Sequence, residues 1–154
     1  MKKALLVIAL VFMALTAKAQ LYVGGGIGFS AAGPQFAISP ELGYNFNDNM
    51  AAGLGLGFAF GGSVFDFSID PYFRYYFADW GPARFFADAN FKFLVESMQG
   101  QSATAWGIGI RPGIAFDIND RFSIVTHIMQ LGYYYNAFSF NLNTGSTIGL
   151  YYNF

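Results

Sequence analysis

Apolar and polar residues alternate with a period of two through most of the chain, most plainly over the last seventeen residues, Phe138 to Phe154. Even positions carry Phe138, Phe140, Leu142, Ile148, Leu150, Tyr152 and Phe154, while odd positions carry Ser139, Asn141, Asn143, Gly145, Thr147, Gly149 and Asn153. Successive side chains of a strand point to opposite faces, so this stretch is a strand with one apolar and one small or polar face. The apolar face weakens only at Thr144 and Ser146. A strand that ends on a free apolar Phe154 suits the last strand of a membrane barrel better than a water-soluble fold.

The same period divides the preceding sequence into seven more strands. Gln20–Ser30 sets Leu21, Val23, Ile27 and Phe29 against Tyr22, Gly24, Gly26 and Gly28; Phe36–Phe46 sets Phe36, Ile38, Leu42 and Tyr44 against Ala37, Ser39, Glu41 and Gly43. Met50–Phe60 places Leu54, Leu56 and Phe58 across from Gly53, Gly55 and Gly57, and Phe65–Phe77 places Phe67, Ile69, Phe73 and Tyr75 across from Ser68, Asp70, Tyr72 and Arg74. In Arg84–Val95 the apolar side is Phe85, Ala87, Ala89, Phe91 and Phe93, and in Trp106–Phe116 it is Trp106, Ile108, Ile110 and Ile114. The seventh strand, from Arg121 to about Tyr134, alternates least well; Phe122, Ile124 and Ile128 are the best candidates for its outer face. Asn47-Asp48-Asn49, Ala78–Pro82 and Asp117–Asp120 read as tight turns on one side. Gly61-Gly62-Ser63, residues 136–137 and a longer polar loop, Glu96–Thr104, connect strands on the other.

With loop centres near residues 33, 62, 100 and 136, residue 20 falls opposite 46, 50 opposite about 75, 83 opposite 117, and 121 opposite about 152. The expected fold is therefore all-β, an eight-stranded antiparallel up-and-down transmembrane β-barrel over residues 20–154. Transmembrane strands need roughly 9 to 11 residues, which each of these segments supplies. An even strand number puts both termini and the short turns on the periplasmic side.

The two faces differ in kind. One is Phe, Ile, Leu, Tyr and Trp; the other is Gly and Ala with nearly all of the charge. Eight strands enclose an interior just wide enough to be filled by side chains. The aromatic face is thus expected to point outward, leaving glycines as a floor over which Tyr72, Arg74, Tyr76, Arg84, Phe86 and Arg111 lie. On this assignment the lumen holds Glu41, Asp66, Asp70 and Asp88 against Arg74, Arg84, Lys92 and Arg111. Such a balance favours a filled interior of paired charges; the alternative is a narrow ion path lined by them.

Composition agrees. The 154 residues are 55% hydrophobic and only 11% charged, against roughly 25% charged in an ordinary soluble domain. After the amino terminus no apolar run approaches the roughly 20 residues of a spanning helix, and among membrane-spanning structures only helices and closed barrels pair all their backbone groups. Residues 1–19 read as a cleavable signal peptide, with Lys2 and Lys3, an apolar run from Ala4 to Leu15, and Ala17-Lys18-Ala19 at the exit. Removing it leaves five basic against nine acidic side chains, a formal charge of 5 − 9 = −4. Nothing here forms a basic patch for nucleic acid. With no Cys, neither a disulfide framework nor a lipid-modified Cys is possible.

The terminal GLYYNF, the LGYNF of Leu42–Phe46 and the IDPYFRYYF of Ile69–Phe77 together resemble small outer-membrane barrels of Gram-negative bacteria, the OmpX-like and OmpA-like eight-stranded families, especially barrel-domain proteins of the Bacteroidetes type. The resemblance implies an integral outer-membrane protein exported through the periplasm. It further implies contact with outer-membrane lipid and lipopolysaccharide, a monomer, and recognition by the barrel assembly machinery through the C-terminal strand ending at Phe154. It says nothing specific about activity, because one barrel architecture hosts many functions.

Candidate chemistry is sparse. His127 is the single histidine. Barrel enzymes that deacylate lipid A pair their His with a Ser two residues on, where this chain has Met129. Ser123 lies four residues earlier on the same face, roughly 13 Å away in an extended strand, beyond the reach a relay needs. A packed luminal histidine is the plainer reading. Gly24-Gly25-Gly26-Ile27-Gly28 opens no helix and matches no dinucleotide fingerprint; one His, no Cys and scattered carboxylates make neither a zinc nor a calcium site. No catalytic, cofactor or metal residues are therefore expected. Trp80, Tyr44, Tyr75 and Tyr152 read as an interfacial girdle, and Tyr133–Tyr135 as the opposite girdle or a contact surface. The expected role is a filled structural or surface-interaction barrel without catalysis. The alternatives are a narrow porin-like permeation barrel, a lipid-modifying enzyme, or a soluble periplasmic barrel with its apolar face turned inward around a lipid.

Overall fold

The computed structural model describes residues 20–30, 35–62, 64–98, 100–134, 136–142 and 148–154. The proposed signal segment, residues 1–19, lies outside them, as does Tyr135. The strands are β1 (Leu21–Ser30), β2 (Gln35–Asn47), β3 (Met50–Gly61), β4 (Val64–Trp80), β5 (Ala83–Met98), β6 (Gln101–Asp117), β7 (Phe122–His127), β8 (Met129–Tyr134), β9 (Ala137–Leu142) and β10 (Ile148–Asn153). No helix occurs among the described residues.

Pairing is antiparallel throughout and closes on itself: β1 to β6 follow one another, β6 pairs with β7, β7 with β10, and β10 with β1. One further hydrogen bond tightens the seam, Phe154 N–H to the Leu21 carbonyl at 3.0 Å, and Asn45 N–H to the Gln20 carbonyl at 2.7 Å extends the neighbouring β1–β2 ladder. β7 with β8 forms the seventh wall. β9 and β10 belong to the eighth, with residues 143–147 between them outside the described set. The fold is the expected eight-stranded up-and-down barrel.

The expected registers lie within one residue of those found. Leu21 faces Tyr44, Met50 faces Tyr75, Ala83 faces Phe116, and Phe122 faces Tyr152. The hairpin tips turn on residues that tolerate left-handed backbone, Gly62, Gly81, Gly100 and Asn136 at φ of 57°, 59°, 84° and 63°. Two connections are shorter than expected: the Ala78–Pro82 turn contracts to Gly81-Pro82, with Asp79 paired to Arg84 and Trp80 to Ala83, and Glu96–Thr104 is no loop. β5 runs to Met98 and β6 starts at Gln101, with Glu96 paired to Ala103, because turning at Gly100 lets both strands continue into polar sequence.

The seventh wall explains its own poor alternation. β6–β7 pairs Gly113 with His127, but β6–β8 pairs Ile110 with Leu131, a slip of one residue centred on Ile128. Ile128 donates its N–H to the Pro112 carbonyl at 2.9 Å. Such a bulge reverses the facing of everything after it. Phe122, Ile124 and Ile128 face outward as expected; beyond the bulge Leu131 and Tyr133 face out while Tyr134 turns in.

Facing is otherwise as expected. Val23, Leu42, Leu54, Phe73, Phe91, Ile110 and Leu150 are exposed, while Tyr22, Tyr72, Arg74, Phe86, Asp88, Val125 and Tyr151 are buried. An apolar exterior around a polar interior reverses a soluble protein, and the solvent it fits is lipid. The soluble lipid-carrier reading is thereby overturned, since its apolar face would have to line the interior.

Glycines make room for the large luminal side chains. A methyl at Gly53 would meet the Tyr72 hydroxyl at 2.5 Å, and one at Gly24 the Tyr151 ring at 2.6 Å. At Gly113 it would press on the Phe86 ring and lie 2.5 Å from the Thr126 carbonyl oxygen, a backbone atom that cannot swing aside. At Gly55 the nearest atom would be 3.5 Å away, an ordinary contact. Gly113→Ala is therefore expected to cost about 1–3 kcal/mol through overpacking and Gly55→Ala far less. Urea titration of the folded fraction in lipid vesicles, read by gel mobility without boiling, measures both.

Candidate functional site

The polar groups of this barrel converge in its lumen. Inward positions of β4, β5 and β6 at matched register place Arg74 opposite Asp88 and Asp88 opposite Arg111. Side chains of alternating sign thus stand side by side around the wall. Arg74 grips Asp88 with two hydrogen bonds, Nε to Oδ1 at 2.7 Å and Nη2 to Oδ2 at 2.9 Å. This bidentate fork is the strongest geometry available to the pair. Arg111 lies 3.8 Å from Asp88 and donates to Asp70 at 2.5 Å. Asp70 also accepts from the Asn90 amide at 2.8 Å, and Asn90 in turn accepts the Tyr134 hydroxyl at 3.0 Å.

Aromatic rings pack this chain of charges from the sides. The Arg74 guanidinium lies 4.0 Å from the centre of the Phe86 ring, with Tyr72 and Tyr151 at 5.1 and 5.6 Å. Cation–π attraction of this kind strengthens where water is excluded. Arg74 is 1% exposed, and Phe86 and Asp88 are 0% exposed. A second knot sits beside them: Glu41 accepts hydroxyls from Tyr72 at 2.9 Å and Tyr151 at 2.6 Å, while the Tyr22 and Tyr72 hydroxyls meet at 2.7 Å.

The expected set of four acids and four bases is therefore paired unevenly. Arg74, Arg111, Asp70 and Asp88 form one network, but Glu41 is satisfied by tyrosines. Arg84 belongs to the lower mouth, where it stacks 3.9 Å over Tyr76, donates to the Asp48 carbonyl and faces Asp79 at 3.4 Å. Lys92 lies among Asp66, Asp70 and Arg111. Asp66 Oδ1 and Arg111 Nε are buried without a hydrogen-bond partner among the described residues.

His127 points inward. Its Nε2 lies 2.8 Å from Asp88 Oδ2, and its ring meets Phe86 edge-on at 5.4 Å. Ser123 is also luminal, but its hydroxyl donates to Asp117 at 2.7 Å. The structure thus ties His127 into the charge network and Ser123 into a separate pair near the lower turn. Among the described residues no group of three His, Cys, Asp or Glu side chains is arranged to hold a metal ion.

Trp80, 81% exposed, and Tyr75 stand outward at the lower rim, where Phe122, Tyr152 and Phe154 also touch in sequence, each neighbouring pair 5.0 Å apart. The upper tyrosines divide. Tyr133 faces out beside Trp106 at 6.4 Å, whereas Tyr134 is a luminal residue. The sequence reading leaves Tyr134 unplaced because it does not resolve the phase change at Ile128, and it does not single out Tyr151, although that residue shares the odd face of the last strand with Gly149; Tyr22 sits on the inward face predicted for β1.

No protein-family model matches the chain, and neither does any curated protein sequence. Solved structures do. Neisserial surface protein A superposes with a TM-score of 0.62 at 14% identity, covering 88% of this chain and 96% of that one. The N-terminal β-barrel domain of Pseudomonas aeruginosa OprF gives 0.63 at 14% identity, covering 88% and 98%. The Yersinia pestis outer membrane protein Ail, in a phospholipid bilayer nanodisc, gives 0.58 at 10% identity, covering 89% and 100%. At these identities the likeness is one of fold, and that fold is the small eight-stranded barrel of outer-membrane proteins anticipated from GLYYNF and its companion motifs.

Removing one partner of the central pair leaves an uncompensated buried charge. Arg74→Met is expected to destabilise the barrel by about 3–5 kcal/mol, and Arg74→Met with Asp88→Leu by less. Recovery stays incomplete, because Arg111 and His127 also lose Asp88. A double-mutant cycle on urea unfolding in vesicles yields the coupling.

Proposed function

We propose that this chain, an integral barrel of the bacterial outer membrane, has a structural or surface-contact role, conducts no solute and catalyses no reaction. One observation carries the proposal: Arg74, Phe86 and Asp88 form a luminal layer that water does not reach, and the Arg74 guanidinium extends across it to 5.6 Å from the Tyr151 ring centre. A path for ions would have to break a bidentate ion pair and move a stacked ring. Arrest at that layer explains why charges line the lumen without making it a channel, and the narrow permeation reading loses its main support.

The absence of catalysis rests on the geometry of the single histidine. His127 has a carboxylate beside it, as a catalytic histidine would, but that carboxylate is locked to Arg74 inside the barrel. The hydroxyl on the same face, Ser123, is engaged by Asp117. Two of the fold neighbours are named as a surface protein and an outer membrane protein, which fits the same reading.

A surface-contact role draws on the upper rim. Pairing between β6 and β8 stops at Gly107 and Tyr134, so over Gln101–Trp106 no strand of the described residues borders β6 on the side away from β5. Backbone groups along such an edge are free to pair with an extended segment of another molecule. Contact with lipopolysaccharide, insertion through a Phe154-terminated strand, a monomeric state and membership of the Bacteroidetes type belong to the same proposal.

In planar bilayers the native barrel, verified by its heat-modifiable mobility, is expected to show no steady openings. Phe86→Ala combined with Arg74→Ala is expected to admit small ions; openings in the unmodified protein would establish permeation instead. His127→Ala is expected to leave the acylation pattern of the host lipid A unchanged, and an altered pattern would restore the enzyme reading.

A further inference from the structure

The lipid-facing wall is not uniformly convex. Outward positions across β4, β5 and β6 are mostly large, yet Ala89 stands exposed among them, directly opposite Phe73 on one side and Ile110 on the other. Leu131 and Tyr133 on β8 and Phe138 on β9 continue the rim. Together they border a shallow, open depression of about 730 Å³ whose lining is almost wholly apolar. Its upper edge is fixed by rings: Trp106 stacks on Phe91 with centres 6.4 Å apart and planes 15° from parallel, and also meets Tyr133 at 6.4 Å. Phe138, 71% exposed, projects beside them.

What fills this groove follows from where it lies. It is continuous with the apolar band that faces lipid, so water is not its occupant. It descends from an aromatic cluster at the outer end of the barrel, where amphipathic rings sit at the interface, toward Ala89 further down the wall. A second copy of the chain fits poorly, since a two-fold contact centred here would set groove against groove and leave both unfilled.

We propose that the groove is a binding site for one acyl chain of an outer-leaflet lipid, seated on Ala89 between Phe73 and Ile110 and retained longer than the lipid around it. The proposal rests on the lipid-facing assignment of this wall. A retained chain gains contacts that a convex wall cannot offer, because packing and not water exclusion separates bound from bulk lipid inside a bilayer.

The test is native mass spectrometry of the full barrel released from dimyristoylphosphatidylcholine vesicles in mild detergent. One lipid per barrel is expected to survive detergent stripping. Ala89→Trp fills the groove and is expected to reduce that retention about tenfold through lost packing contacts, while heat-modifiable mobility is unchanged. Ala89→Leu, a smaller filling, replaces it if the tryptophan blocks folding. Equal retention by native and filled barrels overturns the proposal, as does a dimer that the filling abolishes. Loss of the mobility shift in the native protein would instead overturn the membrane-barrel reading itself.

Discussion

Everything in this structure depends on the requirement that no backbone N–H or C=O be left unpaired in hydrocarbon. A single hairpin cannot meet it; a ring can. The decisive contact is therefore between the two ends of the chain, where Ile148–Asn153 pairs with β1 on one side and β7 on the other and the Phe154 N–H reaches the Leu21 carbonyl. That seam joins residues more than a hundred positions apart, so the ring forms only when nearly the whole sequence is present. Loop closure over such distances adds little to the equilibrium cost but much to the time needed.

Closure fixes the diameter, and the diameter dictates the interior. Inward side chains of eight strands must fill a space too narrow for a row of tyrosines on every wall. The chain resolves this by setting large against small: Tyr22 lies over Gly43, Tyr72 over Gly53, Tyr151 over Gly24, Phe86 over Gly113, and Tyr134 over Gly107 and Gly109. Polar heads borne by those rings then fall within reach of one another and of Glu41 and Asn90. The glycine pattern and the hydrogen-bond network are thus one device seen at two scales.

That explains which parts were legible in sequence. Period-two alternation depends on single residues, so the facing of β1 to β6 and the positions of Tyr72, Arg74 and Phe86 could be read directly. Register followed from turn chemistry to within one residue. Pairing between luminal charges could not be read, because it depends on side-chain reach across strands: Glu41 turned to Tyr72 and Tyr151, and Arg84 to Asp79. The bulge at Ile128 escaped for another reason. It is a choice of backbone made jointly by β6, β7 and β8, and the sequence marks it only as a break in alternation between Ile128 and Leu131, without saying which residue is the extra one. Glu96–Thr104 reads as a loop because polar residues commonly end a strand, whereas here both strands continue beyond the apolar band.

The bulge also separates two questions of phase. Below it, even positions of β7 face lipid; above it, odd positions of β8 do, and Tyr134 meets the luminal network in this second phase. One inserted residue thus lets the same wall satisfy two facings, with the layer around Arg74 below it and the Tyr134–Asn90 contact above. A single extra residue at Ile128 therefore acts as a phase-shifter in the wall, letting apolar sequence of either parity meet lipid without breaking the ring of backbone hydrogen bonds.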